Sequence, residues 1–372
     1  MSAADNVSSP QGDRKKRRGA VTLRDVAALA GVGIKTVSRV VNDEPGVSPA
    51  TAEKVRKATE QLGYRADLAA AGLRRGDRRT QSIGLLIPSV DNLFAGAVHR
   101  GIENIAGPRQ VVVLSVSTDD NPDRERTLVG ALLQRRVDGL IIAPSPAEQN
   151  YLEKELGTHT PVVFIDRHPR GFEGDTITSD NTEGIARATN HLIAGGHRRI
   201  AYLGDDIAIG TSRERYESFR ATMVAAGLEV DEQLVALVRA DPAAAGRSAQ
   251  QATRLLTAQP APTALLSAQN EATEGALHAM RTLALDHRVA LVGFDDLPLA
   301  DLLEPPLTAV AQNPVAIGEL AAQRLFGRID GTLTGPAESL VVPSVLHVRG
   351  SGEIPPRSEN DRFGAAAEDG RL

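Results

Sequence analysis

Residues 21–42 read VTLRDVAALAGVGIKTVSRVVN, and their spacing predicts two short helices joined by a tight turn. Thr22 stands three residues before Asp25, the spacing of a capping box, and Leu23, Val26, Ala27 and Ala30 follow at i, i+3, i+4 and i+7 on one apolar face. Gly31 suits the left-handed backbone that ends a helix, and Val32 turns inward. A second helix then begins near Gly33, with Val37, Val40 and Val41 on its buried side. Two such helices cannot enclose a core, and a third is expected after them. Ser48 caps it, Pro49 takes its first position, Val55, Ala58 and Leu62 face inward, and Gly63 stops it. The expected unit is an all-α helix-turn-helix over residues 20–65, although the spacing by itself also fits a helical hairpin within a larger fold.

The second helix leaves Ile34, Lys35, Ser38 and Arg39 facing outward. In a major groove, side chains near the start of such a helix reach base edges, so Ile34, Lys35 and Arg39 are the candidates for reading sequence. Lys35 and Arg39 can donate to guanine, whereas Ile34 offers apolar contact to a thymine methyl. Thr36, Ser38, Asn42 and the backbone near Thr22 suit phosphates, which fix register without reading bases. Charge supports a nucleic-acid partner for this end of the chain. Residues 1–80 hold 16 Lys+Arg and 9 Asp+Glu, a net of +7, while the rest hold 26 and 38, a net of −12.

Residues 1–19 are polar, end in RKKRR and show no periodicity, so a disordered basic arm is expected. Between the helical unit and the rest, residues 66–81 include DLAAAGL (67–73), led by a plausible cap but far shorter than the roughly 12–15 residues a helix needs alone in water. On its residues this is either a linker or a helix that forms only on a partner. From residue 82 the texture changes to apolar runs at 83–88, 111–116, 139–144, 162–166, 199–204, 264–268 and 289–295, with helical patterns between them. Such runs read as parallel strands covered on both faces, a doubly wound α/β architecture. Seven strands over this span call for two lobes. Ligands of such sheets bind at the carboxyl ends of strands, here in the cleft between lobes. That points to Ser89, Asp91, Asn92 and Phe94 after the first run, Asp166 and Arg167 after the fourth, Gln269 and Asn270 after the sixth, and Asp295 and Asp296 after the seventh. Carboxylates, amides and a guanidinium around an aromatic ring suit a polyhydroxylated ligand.

The strings VTLRDVAALAGV, KTVSRVVN, VSPATAEKV and LGYRADLAAAGLRRG, in that order, closely resemble the DNA-binding headpiece of the lactose-repressor (LacI/GalR) family of bacterial transcription regulators. The resemblance implies that Ile34, Lys35 and Arg39 read bases. It also implies that Asp67–Leu73 is a hinge helix folding on the operator, with Ala70 and Leu73 in the minor groove and Leu73 wedged between base pairs. Ala66, where the family commonly has proline, and Gly72 both depart from that pattern. For residues 82–350 the resemblance implies a type I periplasmic-binding-protein fold, with lobe one over 82–179 and 311–334 and lobe two over 180–310 and 335–350. Phe94, Asp166, Arg215, Gln269, Asn270 and Asp295 would line the effector cleft, although Gln269-Asn270 replaces a commoner Asn-Asp and Ser218 a commoner glycine. Residues 351–372 are polar, lack heptads and are expected to be a disordered tail.

With no cysteine, disulfides and thiolate sites are excluded; the eight histidines show no ligand spacing, and His197 after Gly195-Gly196 is read as a helix-end hydrogen bond. No metal or cofactor is expected. GxxxxGK[ST], GxGxxG and GxSxG are absent, so an enzyme is not expected. A solute-binding protein would account only for residues 82–350 and would need an export signal that the N-terminus lacks. No membrane segment is present, and a cytoplasmic, nucleoid-associated protein is expected. The reading is a homodimeric regulator, by family habit a repressor, bound to double-stranded operator DNA and switched by a small sugar-like effector. A co-repressor-dependent regulator answering a nucleoside or purine is the alternative.

Overall fold

The computed structural model describes residues 21–42, 44–64, 79–157, 160–238 and 246–357, in two compact units divided between Thr80 and Gln81. The basic arm, the hinge segment with Ala70 and Leu73, and residues 358–372 lie outside the described residues.

The first unit holds helices α1 (Leu23–Ala30), α2 (Ile34–Val41) and α3 (Pro49–Leu62). The Thr22 amide and hydroxyl both donate to the Asp25 carboxylate, at 2.8 and 2.7 Å, which caps α1. Gly31 ends it at φ 66°, a backbone that costs a β-carbon roughly 1–2 kcal/mol. Ser48 accepts from the Thr51 amide to open α3, and Pro49 needs no donor at that first position. Val26, Val37 and Val55 are fully buried between the three helices, with Ala27 and Ala58 beside them. Val40, Val41 and Leu62 close the rim.

In the second unit the strands are β1 (Ser82–Ile87), β2 (Val112–Ser117), β3 (Leu140–Ile142), β4 (Val162–Ile165), β5 (Asp175–Ser179), β6 (Ile200–Asp205), β7 (Val235–Val238), β8 (Ala264–Ser267), β9 (Ala290–Phe294), β10 (Thr308–Ala311), β11 (Ser339–Val342) and β12 (Val345–His347). Between them run α4 (Leu93–Ala106), α5 (Pro122–Gln134), α6 (Leu152–Glu155), α7 (Asn181–Ala194), α8 (Gly210–Ala225), α9 (Arg247–Leu256), α10 (Asn270–Thr282) and α11 (Pro314–Ile329). They form two six-stranded sheets, ordered β11-β5-β4-β3-β1-β2 and β12-β10-β9-β8-β6-β7, and only β12 runs antiparallel to its neighbour. Each sheet is covered on both faces, which is why its central strands are continuously apolar. All seven apolar runs are strands; β5, β7, β10, β11 and β12 are additional, being too short or too polar to stand out.

The chain passes between lobes at Asp180, at Gln312–Asn313 and at Pro343–Ser344. The third passage corrects the assignment of residues 335–350 to lobe two. Strand β11 pairs with β5 in the first sheet, from Ser339↔Thr176 to Val342↔Ser179, and only β12 joins the second. Pro343 lacks an amide donor and breaks what otherwise reads as one strand. Asp180 fastens this passage to the first, accepting from the Ser344 amide at 2.7 Å and from Arg187 at 3.1 Å. The tail also begins later than residue 351. The Ser351 hydroxyl donates to Leu291 and accepts from the Thr308 amide, and Ile354 is buried against lobe two. Its carbonyl lies 2.9 Å from Nε2 of His197, which is fully buried with Nδ1 3.0 Å from the Thr263 hydroxyl. Helices α4 and α11 cross where Gly101 and Gly318 face each other's backbone, and a β-carbon on either would lie 2.1 Å from a carbonyl oxygen of the partner helix.

Candidate functional site

In the first unit, Ile34 at 45% exposure sits with exposed Lys35 and Arg39 on the outer face of α2, while Thr36, Ser38 and Asn42 are half-buried beside them. The Asn42 amide donates to the Ser38 hydroxyl, so these two act as one polar group at the end of the helix. A single exposed isoleucine is ordinary on a protein surface, and what marks this face is its place beside Lys35 and Arg39.

In the second unit the strand ends of both lobes line one cavity of about 300 Å³. Ser89, Asp91, Asn92, Phe94, Asp166, Arg167, Arg215, Gln269, Asn270 and Asp295 all line it; Asp296 does not, since it turns away to a bidentate pair with Arg349 at 2.7 and 2.8 Å. Asn92 caps α4 by accepting from the Phe94 and Ala95 amides, and so sets the phenyl ring at the cavity wall. The Ser89 hydroxyl donates to Asp91. From lobe two, Arg215 enters from α8 and is only 6% exposed. It donates to Asn181 and to the Ala268 carbonyl, each at 2.8 Å, and lies 3.9 Å from the centre of the Phe294 ring. Arg167 is held by Asp120 and Asp166 and donates to the Pro144 carbonyl.

Asp119, Asp120, Asp205, Thr211, Ser212, Glu271 and Gln312 complete the polar lining. Seven carboxylates therefore face two guanidiniums, both already engaged, which disfavours an anionic ligand. Four of the acids, Asp119, Asp120, Asp166 and Asp295, hold positive φ between 49° and 73°. Aspartate tolerates this backbone better than most side chains, yet each instance costs about 1–3 kcal/mol and such strain gathers at functional sites. Asp166 and Asp295 are equivalents: each follows a central strand of its lobe, and each amide donates to the neighbouring strand at 2.9 Å. Burial pushes the Asp295 carboxyl above its ordinary 3.8, against the pull of Arg215 and a hydrogen bond from Gln312 at 2.5 Å. Gln312 itself stands on the second inter-lobe passage, so cavity and hinge share a side chain. Among the described residues no group of His, Asp and Glu could hold a metal ion.

Two family models match the chain: bacterial regulatory proteins of the lacI family over residues 22–67, and a periplasmic binding protein-like domain over 189–352. The HTH-type transcriptional regulator DegA of Bacillus subtilis is 32% identical over 337 residues, covering 89% of this chain and 97% of that protein. The ribose operon repressor of Escherichia coli is 32% identical, covering 89% and 99%. Among solved structures, the lac repressor dimer bound to operator and an anti-inducer superposes with a TM-score of 0.77 at 26% identity, over 90% of this chain and 99% of that one.

Proposed function

The chain belongs to the lacI family of bacterial regulatory proteins, and from that premise we propose that it is a cytoplasmic, nucleoid-associated repressor, not an enzyme, whose grip on operator DNA is set by a monosaccharide-sized, uncharged polyol in the inter-lobe cavity. Headpiece residues Ile34, Lys35 and Arg39 read bases, with Thr22, Thr36, Ser38 and Asn42 on phosphates. A homodimer is required because one headpiece makes too few contacts for tight, specific binding, and a two-fold dimer matches a palindromic operator.

The observation that carries the effector reading is that Asp166 of lobe one and Asp295 of lobe two line the same cavity. Carboxylates accept paired hydroxyls, so a sugar held by both ties the lobes together, with a ring face against Phe94 and further donors from Arg215 and Asn270. At about 300 Å³ the cavity stands at the lower limit of small-molecule sites, which favours a single sugar ring. The excess of carboxylates weighs against sugar phosphates and nucleotides. A ligand that binds one lobe arrangement better than another shifts the spacing of the two hinge segments, a coupling of about 1–3 kcal/mol in ordinary cases.

The test is binding of the purified protein to DNA flanking its own gene at fixed salt, with D-ribose, other pentoses, hexoses and nucleosides added in turn. Release by one neutral sugar is the expected result. Binding that appears only when a compound is added would reverse the sign to co-repression, and indifference to all of them would remove the effector reading.

A further inference from the structure

Arg170 leaves lobe one and reaches lobe two at a point away from the three passages of the chain. Its Nη2 donates to the backbone carbonyl of Ala208 at 3.1 Å. Ala208 lies in the turn between β6 and α8, where Ile209, Thr211 and Ser212 go on to line the cavity. Arg170 lines no part of the cavity and cannot read a ligand there. Asn92 also bonds across the cleft, to Asn270 at a long 3.5 Å, and both of these residues do line the cavity.

An exposed arginine reaching for a carbonyl ordinarily gains little, because ordering a long side chain offsets the bond. Here the root of the side chain is fixed. Gln149, 1% exposed, accepts from the Arg170 amide at 2.9 Å, and its own amide donates to the Arg170 carbonyl at 2.7 Å. The Gln149 side chain also donates to the Ser145 carbonyl, and the Ser145 amide donates at 2.6 Å to Glu125. Glu125, itself 1% exposed, takes a second bond from the Tyr151 hydroxyl at 2.9 Å. Burying a carboxylate beneath a surface loop is costly unless its bonds are needed, and what this network holds still is the backbone of Arg170.

We propose that Arg170 is a closure latch: a positioning residue that holds the two lobes together across the cleft mouth through the Ala208 carbonyl and so slows the escape of whatever the cavity binds. The second half rests on the cavity being the effector site. Holding the lobes together does not, since the bond joins protein to protein.

The chain has no cysteine, so Lys154→Cys and Glu217→Cys, at exposed positions of lobe one and lobe two, give a doubly nitroxide-labelled full-length protein. Pulsed dipolar spectroscopy then reads the distance between lobes. In the absence of sugar, Arg170→Ala is expected to raise the ratio of long to short distances roughly three- to tenfold, without moving the thermal midpoint. Distributions that superimpose on those of the parent overturn the latch. Should Arg170→Ala fail to fold, Arg170→Gln decides between the same two outcomes. D-ribose serves as the cavity probe. If neither it nor any other pentose or hexose shortens either protein while the two still differ, the sugar reading fails and the latch stands; if both start alike and shorten alike with one of them, the latch fails and the sugar reading stands.

Discussion

At the scale of single residues, Lys35 and Asp295 carry the sharpest tests. Lys35→Ala should weaken binding at the cognate operator by about 1–3 kcal/mol and random DNA by much less, as competition titrations would show; equal losses on both would leave Lys35 a phosphate contact. The Asp295 carboxyl is raised by burial, so charging it is harder in the folded protein than in the unfolded chain. Its contribution to stability is whole below the unfolded value of 3.8 and is lost as pH rises through the raised folded value. Asp295→Asn should then match the parent in urea denaturation near pH 3.5, exceed it at pH 7, and no longer respond to sugar; a variant less stable at pH 7 would contradict this. Asp166 and Asp295 were legible because each ends an apolar run. The same rule reaches Asp119-Asp120 and Asp205, which close the runs at 111–116 and 199–204. Gln312 had no such signal, since the TAVA strand before it is too short and alanine-rich to announce itself, and nothing in one sequence foretells four aspartates in left-handed backbone.

Among elements, the helices of the headpiece were the most legible, because cap, apolar stripe and stop residue agree for α1 and α3, and the apolar stripe alone marks α2 between them. The strand Ser339–His347 was not: its alternation is continuous, and only the missing donor of Pro343 divides it between two sheets. The crossing of α4 and α11 depends on two glycines that sequence periodicity passes over. Gly318→Ala places a β-carbon 2.1 Å from the Val98 carbonyl oxygen, a contact that neither backbone can relieve without separating the helices. A loss of about 1–3 kcal/mol or more is expected by chemical denaturation. Ala substitution at half-buried Gly130, which has open space around it, should be neutral or slightly stabilising and serves as the control.

For the whole molecule, the division of charge has a measurable consequence. With a basic N-terminal region on an acidic remainder, operator affinity should fall by about 10³–10⁵ between 50 and 200 mM salt if a dimer makes 6–10 phosphate contacts. Titrations at four salt concentrations would show this, and a slope near zero would mean that the headpieces do not grip the backbone. Sugar affinity, set by hydrogen bonds to an uncharged ligand, should change far less over that range. The two-lobed plan was legible from strand count alone, whereas the third passage and the anchored residues 351–357 were not, because both depend on tertiary contacts made by short polar segments.

The three passages also set an order of completion during synthesis. Helix α11 and strand β11 come from residues 314–342, after every strand of lobe two except β12, yet both belong to lobe one. Until they emerge from the ribosome, the glycine face of α4 has no partner and one edge of the first sheet stays open. The headpiece is finished within the first 64 residues, and the switch only near residue 357. A chain halted between those points would carry the folded headpiece on a body unable to close around an effector, so quality control of nascent chains bears directly on whether the regulated genes stay under effector control.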